Sequence, residues 1–208
     1  VERPEETAAQ TTAEPFVLDA DCRMDMCHAS GDQNYLTVSR FNSGETGFGD
    51  GAATIIDVTL KAVGGGECTN LAGGEEVELT VLAHAHRDIY APIVGFFVRN
   101  RFGQNVFGDN SYYVYSKHPR SFPAGSLMRA TFVFRMPFMP PAEYSVCAAI
   151  ASGTLESHVQ HHWLNEALVF RSISANVHAD VLGIPMHHIE LEAVEYVNQF
   201  YKDKKGDD

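Results

Sequence analysis

The chain has 208 residues, with 27 Asp and Glu against 15 Lys and Arg, and a formal net charge of −12 at pH 7. This length suits one globular domain with short appendages, and the acidic excess argues against nucleic acid, whose phosphates are bound by Lys and Arg. No apolar run is long enough to span a membrane, and the acidic opening VERPEETAAQ has neither the basic start nor the apolar region of a signal peptide.

The first part of the chain has the composition of a linker. Residues 1–20 are rich in Glu, Thr, Ala and Pro without apolar periodicity, and residues 21–50 are polar and rich in Gly. We therefore predict a linker and N-terminal extension over residues 1–47. Cys22 and Cys27 lie close together, but no second close pair follows to complete a zinc site. This cysteine usage indicates a reducing compartment.

Alternating apolar and polar residues predict a series of strands from Ala53 onward. The segment EEVELTVLAHAH alternates over its whole length, and a hairpin is predicted from Ala91 to Ser111. In the first strand of that hairpin Val94, Phe96 and Val98 form an apolar face. Its other face carries Phe97 and Arg99, which marks this face as unusually well covered or as a binding surface.

The second half of the chain continues the pattern. SYYVYS is predicted to be a short strand or loop, and SFPAGSLMRATFVFRMP and MPPAEYSVCAAIASG each predict a turn followed by a strand. A loop with HVQHHW then precedes a last strand, NEALVFRSISA. Strands joined by Gly and Pro turns without helices predict an all-β antiparallel sandwich. Within it, Tyr144 resembles a tyrosine corner and Cys147 is predicted to be a buried thiol.

The end of the chain has a different period. Apolar residues from Ile189 to Phe200 recur at helical spacing, with glutamates early and lysines late, as the helix dipole favours. We predict a C-terminal amphipathic helix and tail over residues 186–208.

Five segments of the chain together resemble one known family. They are FGDGAATIIDVTL (48–60), GEEVELTVLAHA (74–85), PIVGFFVRNRFGQNVFGDNS (92–111), AGSLMRATFVFRMPFMPPAEYSVCAAIA (124–151) and HHWLNEALVF (161–170). In this order they resemble the C-terminal domain of Wzt-type ATPase subunits, which belong to ABC transporters that export O-antigen polysaccharide. The resemblance implies an immunoglobulin-like β-sandwich over residues 48–185 that binds the exported glycan, often as a dimer with an exchanged strand. It also implies a preceding nucleotide-binding domain in the whole protein.

A sugar-binding site needs aromatic faces against the C–H side of the sugar ring and planar polar groups near the sugar hydroxyls. Arg suits the second task because its planar fork donates two hydrogen bonds at once. For each aromatic side chain, packing in the core is the competing interpretation. The candidate carbohydrate-binding residues are Phe97, Arg99, Tyr112, Tyr113, Arg135, His161 and Trp163.

The histidines raise the possibility of a metal-dependent jelly-roll enzyme. His84 and His86 share one face of a predicted strand, but RDIYAP follows them without the Glu that such an enzyme needs. No GxSxG or GxxxxGK[ST] motif is present either. We therefore expect no catalytic residue, no metal ligand and no cofactor in this chain, although the full-length protein would be an ABC-type ATPase.

The leading hypothesis is a non-catalytic domain that recognises O-antigen polysaccharide for export. Its expected partners are the polysaccharide, a second copy of the chain, the transporter's membrane subunit and the N-terminal ATPase domain, with no nucleic acid. The expected location is cytoplasmic, peripheral to the inner membrane through the transporter. The alternatives are a protein-interaction module that docks onto the transporter or a polysaccharide-modifying enzyme and, third, the metal-dependent jelly-roll enzyme.

Overall fold

The computed structural model describes residues 35–65, 70–173 and 182–186. The strands all lie within one compact unit, Cys22–Pro185. The linker over residues 1–20, the cysteines at 22, 27 and 68, and the predicted helix beyond Met186 lie outside the described residues.

Most residues of the described part of the chain lie in strands and only one short helix is present there, which confirms the all-β prediction. The elements are β1 (Tyr35–Val38), β2 (Ala53–Ala62), β3 (Asn70–Ala72), β4 (Glu76–Ala85), β5 (Ile89–Tyr90), β6 (Pro92–Asn100), β7 (Asn105–Asn110), α1 (Tyr112–Tyr115), β8 (Ser121–Phe122), β9 (Leu127–Arg135), β10 (Ala142–Gly153) and β11 (His158–Ser172). No helix among these residues has the length and apolar character needed to cross a bilayer.

Two antiparallel sheets form the sandwich. The larger sheet has six strands in the order β3-β1-β11-β10-β6-β7, and the smaller sheet has the order β2-β4-β9. Strands β5 and β8 form a separate two-stranded ribbon. The inward-facing apolar residues of the six-stranded and three-stranded sheets form one hydrophobic core, as expected for two packed sheets.

Strand β4 shows how the sequence pattern builds this core. Every second residue from Val77 to Ala85 is at most 1% exposed, while the residues between them face outward. Strand β6 supplies the facing side, where the predicted apolar face of Val94, Phe96 and Val98 is buried. The Phe96 ring lies 5.1 Å from Phe132 across the sheets, so aromatic contacts close the sandwich between β6 and β9.

Three details differ from the sequence-based expectation. SYYVYS forms the one-turn helix α1 instead of a strand or loop, because the Asn110 side chain accepts a hydrogen bond from the Tyr112 N–H (3.0 Å) and turns the chain. HVQHHW belongs to β11 instead of a loop. Its polar residues lack the apolar alternation by which a strand is predicted from sequence. Strand β1 lies within residues 1–47, where we predict a linker and extension. Its four residues are too few to show an apolar-polar alternation.

Tyr144 has the predicted corner role. Its hydroxyl donates a hydrogen bond to the Pro140 carbonyl (3.0 Å), four residues upstream, and its ring stacks on Phe170 at 5.3 Å. The side chain therefore ties the turn before β10 to the sheet and also fills the core.

We expect Tyr144→Phe to lower the free energy of unfolding by about 1 kcal/mol, because it keeps the stacked ring but leaves the Pro140 carbonyl without this donor. Urea denaturation followed by circular dichroism measures the change. Tyr90→Phe is the matched control, since Tyr90 is 68% exposed and should show no change. Equal stability of wild type and Tyr144→Phe would contradict the corner role.

Candidate functional site

Three aromatic side chains lie together on the outer face of the six-stranded sheet. The Trp163 ring on β11 stacks on Phe48 at 6.0 Å and contacts Phe97 on β6, also at 6.0 Å. Phe48 is 57% exposed, and Phe97 and Trp163 are partly exposed. We call these three residues the aromatic platform. Apolar rings left open to water on a sheet surface are typical of a binding surface.

Arg99 borders the platform and is held in place by two asparagines. Its Cζ lies 5.7 Å from the centroid of the Trp163 ring, its Nε donates to Asn105 Oδ1 (2.8 Å), and its Nη1 donates to Asn165 Oδ1 (3.1 Å). The Trp163 Nε1–H donates to the same Asn165 oxygen (3.0 Å). The guanidinium is thereby fixed, while its Nη2 has no hydrogen-bond partner within the described ranges and is available to a ligand.

Residues 45–50 form a strap that carries Phe48 across β11. The N–H of Phe48 donates to the Trp163 carbonyl (3.0 Å), and the N–H of Trp163 donates to the Phe48 carbonyl (2.7 Å). Gly47 and Gly49, on either side of Phe48, have φ values of 61° and 149°. A Cβ at Gly47 or Gly49 would collide with the β11 backbone, so these glycines allow the strap to lie flat on the strand.

Two carboxylates fasten the ends of the strap. The Glu45 carboxylate accepts hydrogen bonds from the backbone N–H groups of Asn165 (2.6 Å) and Glu166 (2.7 Å). The Asp50 carboxylate accepts from the Ala52 N–H (2.8 Å) and from Nδ1–H of the buried His161 (2.9 Å). The Ala52 N–H first, and then His161, hold the pKa of Asp50 below its usual 3.8.

Small residues underlie the platform. Cys147 and Ala149 on β10 pair with Phe97 and Gly95 on β6, so little side-chain volume separates the rings from the sheet. Cys147 is fully buried, as predicted, and its Sγ donates to the Asn165 carbonyl (3.0 Å). Burial raises the pKa of this thiol to about 11, which makes it inert at neutral pH.

A cavity lies near each end of the outer face of β6. A cavity of about 330 Å³ lies beside Arg99 and Asn165 and reaches Glu143 on β10. Toward the other end of β6, a smaller cavity of about 200 Å³ is lined by Ile93 and Tyr112. The face therefore offers an elongated surface with aromatic, amide and guanidinium groups in sequence.

Of the seven predicted site residues, the structure brings Phe97, Arg99 and Trp163 together. His161 is 5% exposed and engages Asp50 and Ser152 with its two ring nitrogens, so it supports the strap instead of facing outward. Tyr112 borders the smaller cavity, and Tyr113, 78% exposed, packs its ring edge-on against Tyr112 at 5.4 Å. Arg135 lies exposed on β9 of the other sheet, apart from the platform.

The sequence analysis did not identify four residues of the site: Glu45, Phe48, Asn105 and Asn165. A signal existed for Phe48, since an aromatic residue between two glycines in GFGDG is unusual for a loop that only connects strands. No comparable signal marks the asparagines, because their roles depend on which strands become neighbours.

The arrangement is suited to holding a ligand. The platform offers flat apolar faces, and the neighbouring amides and guanidinium offer hydrogen-bond donors and acceptors. Across the described ranges, no group of three or more His, Cys, Asp or Glu side chains is placed to hold a metal ion.

Comparison with known proteins agrees with this architecture. The family model of the Wzt C-terminal domain matches residues 44–183, a range that contains the strap and the whole platform. The crystal structure of the C-terminal domain of wzt superposes with a TM-score of 0.57 at 13% identity, over 75% of this chain and 91% of that one. This likeness shows the fold.

A β-glucuronidase from glycoside hydrolase family 2 superposes with a TM-score of 0.31 at 12% identity, over 53% of this chain and 11% of that one. No curated protein matches the sequence.

We expect Asp50→Asn to remove a pH-dependent part of the stability. A carboxyl whose pKa is lowered by folding stabilises the folded state above its unfolded pKa, and this contribution is lost as pH falls through the lowered value. Wild type should therefore exceed Asp50→Asn in stability at pH 7, and the difference should shrink below pH 3.8. Urea denaturation at several pH values measures the difference in unfolding free energy. A difference that stays constant down to pH 2 would contradict a stabilising role for the Asp50 carboxylate.

The reactivity of Cys147 should report whether the Phe97 side chain shields this thiol from solvent. We expect iodoacetamide at pH 7.5 to leave Cys147 unmodified in the wild type, and Phe97→Ala to expose it, because Phe97 pairs with Cys147 on the same face. Peptide mass spectrometry reads this thiol separately from the other cysteines. Phe102→Ala, at a hairpin residue 72% exposed, is the control and should not change the rate. The prediction would be overturned if Cys147 in the folded wild type reacted as fast as it does in the protein unfolded by urea.

Proposed function

This chain belongs to the family of Wzt C-terminal domains, and from this membership we propose that it recognises O-antigen polysaccharide for an ABC transporter. It does so as the non-catalytic C-terminal domain of the transporter's ATPase subunit. The observation that carries the proposal is the exposed aromatic platform with the fixed guanidinium of Arg99 beside it.

The geometry explains how a sugar chain would be held. The apolar C–H face of one ring stacks on Trp163 and Phe97, while Arg99 Nη2 and the nearby asparagine amides bond its hydroxyls. Along β6 the outer face extends from Ile93 to Arg99, roughly 20 Å at the usual strand rise. The cavity beside Arg99 and Asn165 would take the sugar unit next to the platform.

Binding without bond cleavage suits this role, because a transported polymer must leave the site intact. Each sugar hydroxyl exchanges a hydrogen bond to water for one to protein, so the net gain is small and the affinity of one site is on the order of micromolar or weaker. We propose a homodimer, in which two sites on one polymer raise the avidity.

The cellular setting follows from the same proposal. In the full-length protein an N-terminal ATPase domain precedes this one and contacts the membrane subunit. The domain then works in the cytoplasm, peripheral to the inner membrane. Nucleic acid is not a partner, since the chain's net charge of −12 repels phosphates.

A second candidate is a protein-interaction module. It is favoured by exposed apolar residues on the smaller sheet, where Ile56 is 44%, Leu127 58% and Val133 55% exposed. In that case polysaccharide would not bind the platform, and the transporter would contact the β2-β4-β9 face.

We expect Trp163→Ala and Arg99→Ala each to weaken polysaccharide binding about tenfold or more, a loss of ~1.4 kcal/mol or greater. Trp163→Ala removes the stacking surface, and Arg99→Ala removes the fixed donors. Isothermal titration calorimetry against O-polysaccharides with defined termini measures the affinities.

Arg135→Ala is the matched control for charge, because Arg135 lies on the other sheet. It should bind with wild-type affinity. Full affinity in both platform variants would reject the platform as the site, and loss of affinity only in Arg135→Ala would move the site to the smaller sheet.

A further inference from the structure

Two histidines on the outer face of the smaller sheet form a pair that the glycan site does not use. His84 is on the central strand β4, and His86 follows the end of that strand, where its backbone N–H still donates to the Ala52 carbonyl (2.8 Å). Extended backbone puts residues two apart on the same side. The two rings meet edge to face, with centroids 4.7 Å apart and an interplanar angle of 65°.

The nitrogen atoms of the pair have the spacing of a chelate. His84 Nδ1 and His86 Nδ1 are 3.2 Å apart and share a hydrogen bond, so in the metal-free pair one of the two nitrogens carries a proton that an ion would displace. Two imidazole nitrogens that bind one ion at about 2.0–2.1 Å subtend, at this separation, an angle of roughly 100°. That value lies between the square-planar and tetrahedral angles, so both nitrogens reach one ion with only small rotations of the rings.

Thr54 supplies the supporting contact that metal-binding histidines have. Its Oγ1 lies 2.9 Å from His86 Nε2, on the side of the ring away from His84. A threonine hydroxyl accepts as readily as it donates. With an Nε2–H donated to Thr54, the lone pair of His86 is on Nδ1 and points toward the pair. Thr54 and His84 are register partners on β2 and β4, so the sheet itself fixes this arrangement.

We propose that His84 and His86 form a two-histidine site for one divalent transition-metal ion of the Cu²⁺, Ni²⁺ or Zn²⁺ class. Neutral imidazole suits these ions, and Cu²⁺ binds most tightly among them. Water completes the coordination, since no third His, Cys, Asp or Glu of the described residues joins the pair. The site is therefore a binding site without catalytic metal chemistry, and it is independent of the polysaccharide proposal.

Titration of the full chain with Cu²⁺ in a buffer that does not chelate metals tests the site. We expect one site whose affinity falls at least tenfold in His84→Ala and in His86→Ala. Thr54→Val keeps the side-chain shape, removes the hydroxyl and should weaken binding to a smaller extent. His118→Ala, at an exposed histidine outside the pair, is the control and should leave the affinity unchanged.

Paramagnetic broadening by Cu²⁺ in the wild-type amide spectrum locates the ion without any substitution. Broadening centred on Thr54, His84 and His86 supports the proposal, even if one alanine variant fails to fold. Broadening centred on other histidines, or unchanged affinity in both folded alanine variants, would overturn it.

Discussion

The candidate site depends on the two hydrogen bonds that the Glu45 carboxylate accepts from the backbone N–H groups of Asn165 and Glu166. Between Ala148 and Val146 of β10, strand β11 advances from Leu164 to Leu168, so β11 carries two extra residues at this point. Such a bulge leaves backbone N–H groups without ladder partners. Glu45 satisfies two of them, and the bulge lets the Asn165 side chain meet both Arg99 and Trp163.

Side chains beside the bulge alternate between the core and the outer face of the sheet. Leu164 and Leu168 on either side of the bulge are both at most 1% exposed and belong to the sandwich core. Trp163, next to Leu164, faces outward into the platform. Packing of the core therefore fixes the position of the platform, so a ligand at the proposed site would meet a surface that is already ordered. Preorganisation of this kind matters for sugars, because each hydroxyl contributes little net free energy.

Sequence reasoning succeeded where a short-range pattern determines structure. The alternation in β4, the apolar face of β6 and the tyrosine corner at Tyr144 each follow from a few neighbouring residues. It failed where long-range pairing decides the outcome. The sequence predicts His161 as a carbohydrate-binding residue, because nothing near it in sequence shows that its ring is buried against Asp50, 111 residues away. Asn165 likewise acquires its role only when β6 and β11 become near neighbours in one sheet.

We propose above that polysaccharide contacts the outer face of the six-stranded sheet at Trp163. Trp163 is the sole tryptophan of the sequence, so its fluorescence reports this face alone. During titration with O-polysaccharide, the emission should change in intensity or wavelength and saturate with the same midpoint as binding measured by calorimetry. Saturable binding in the calorimeter with no change in tryptophan emission would contradict the claim.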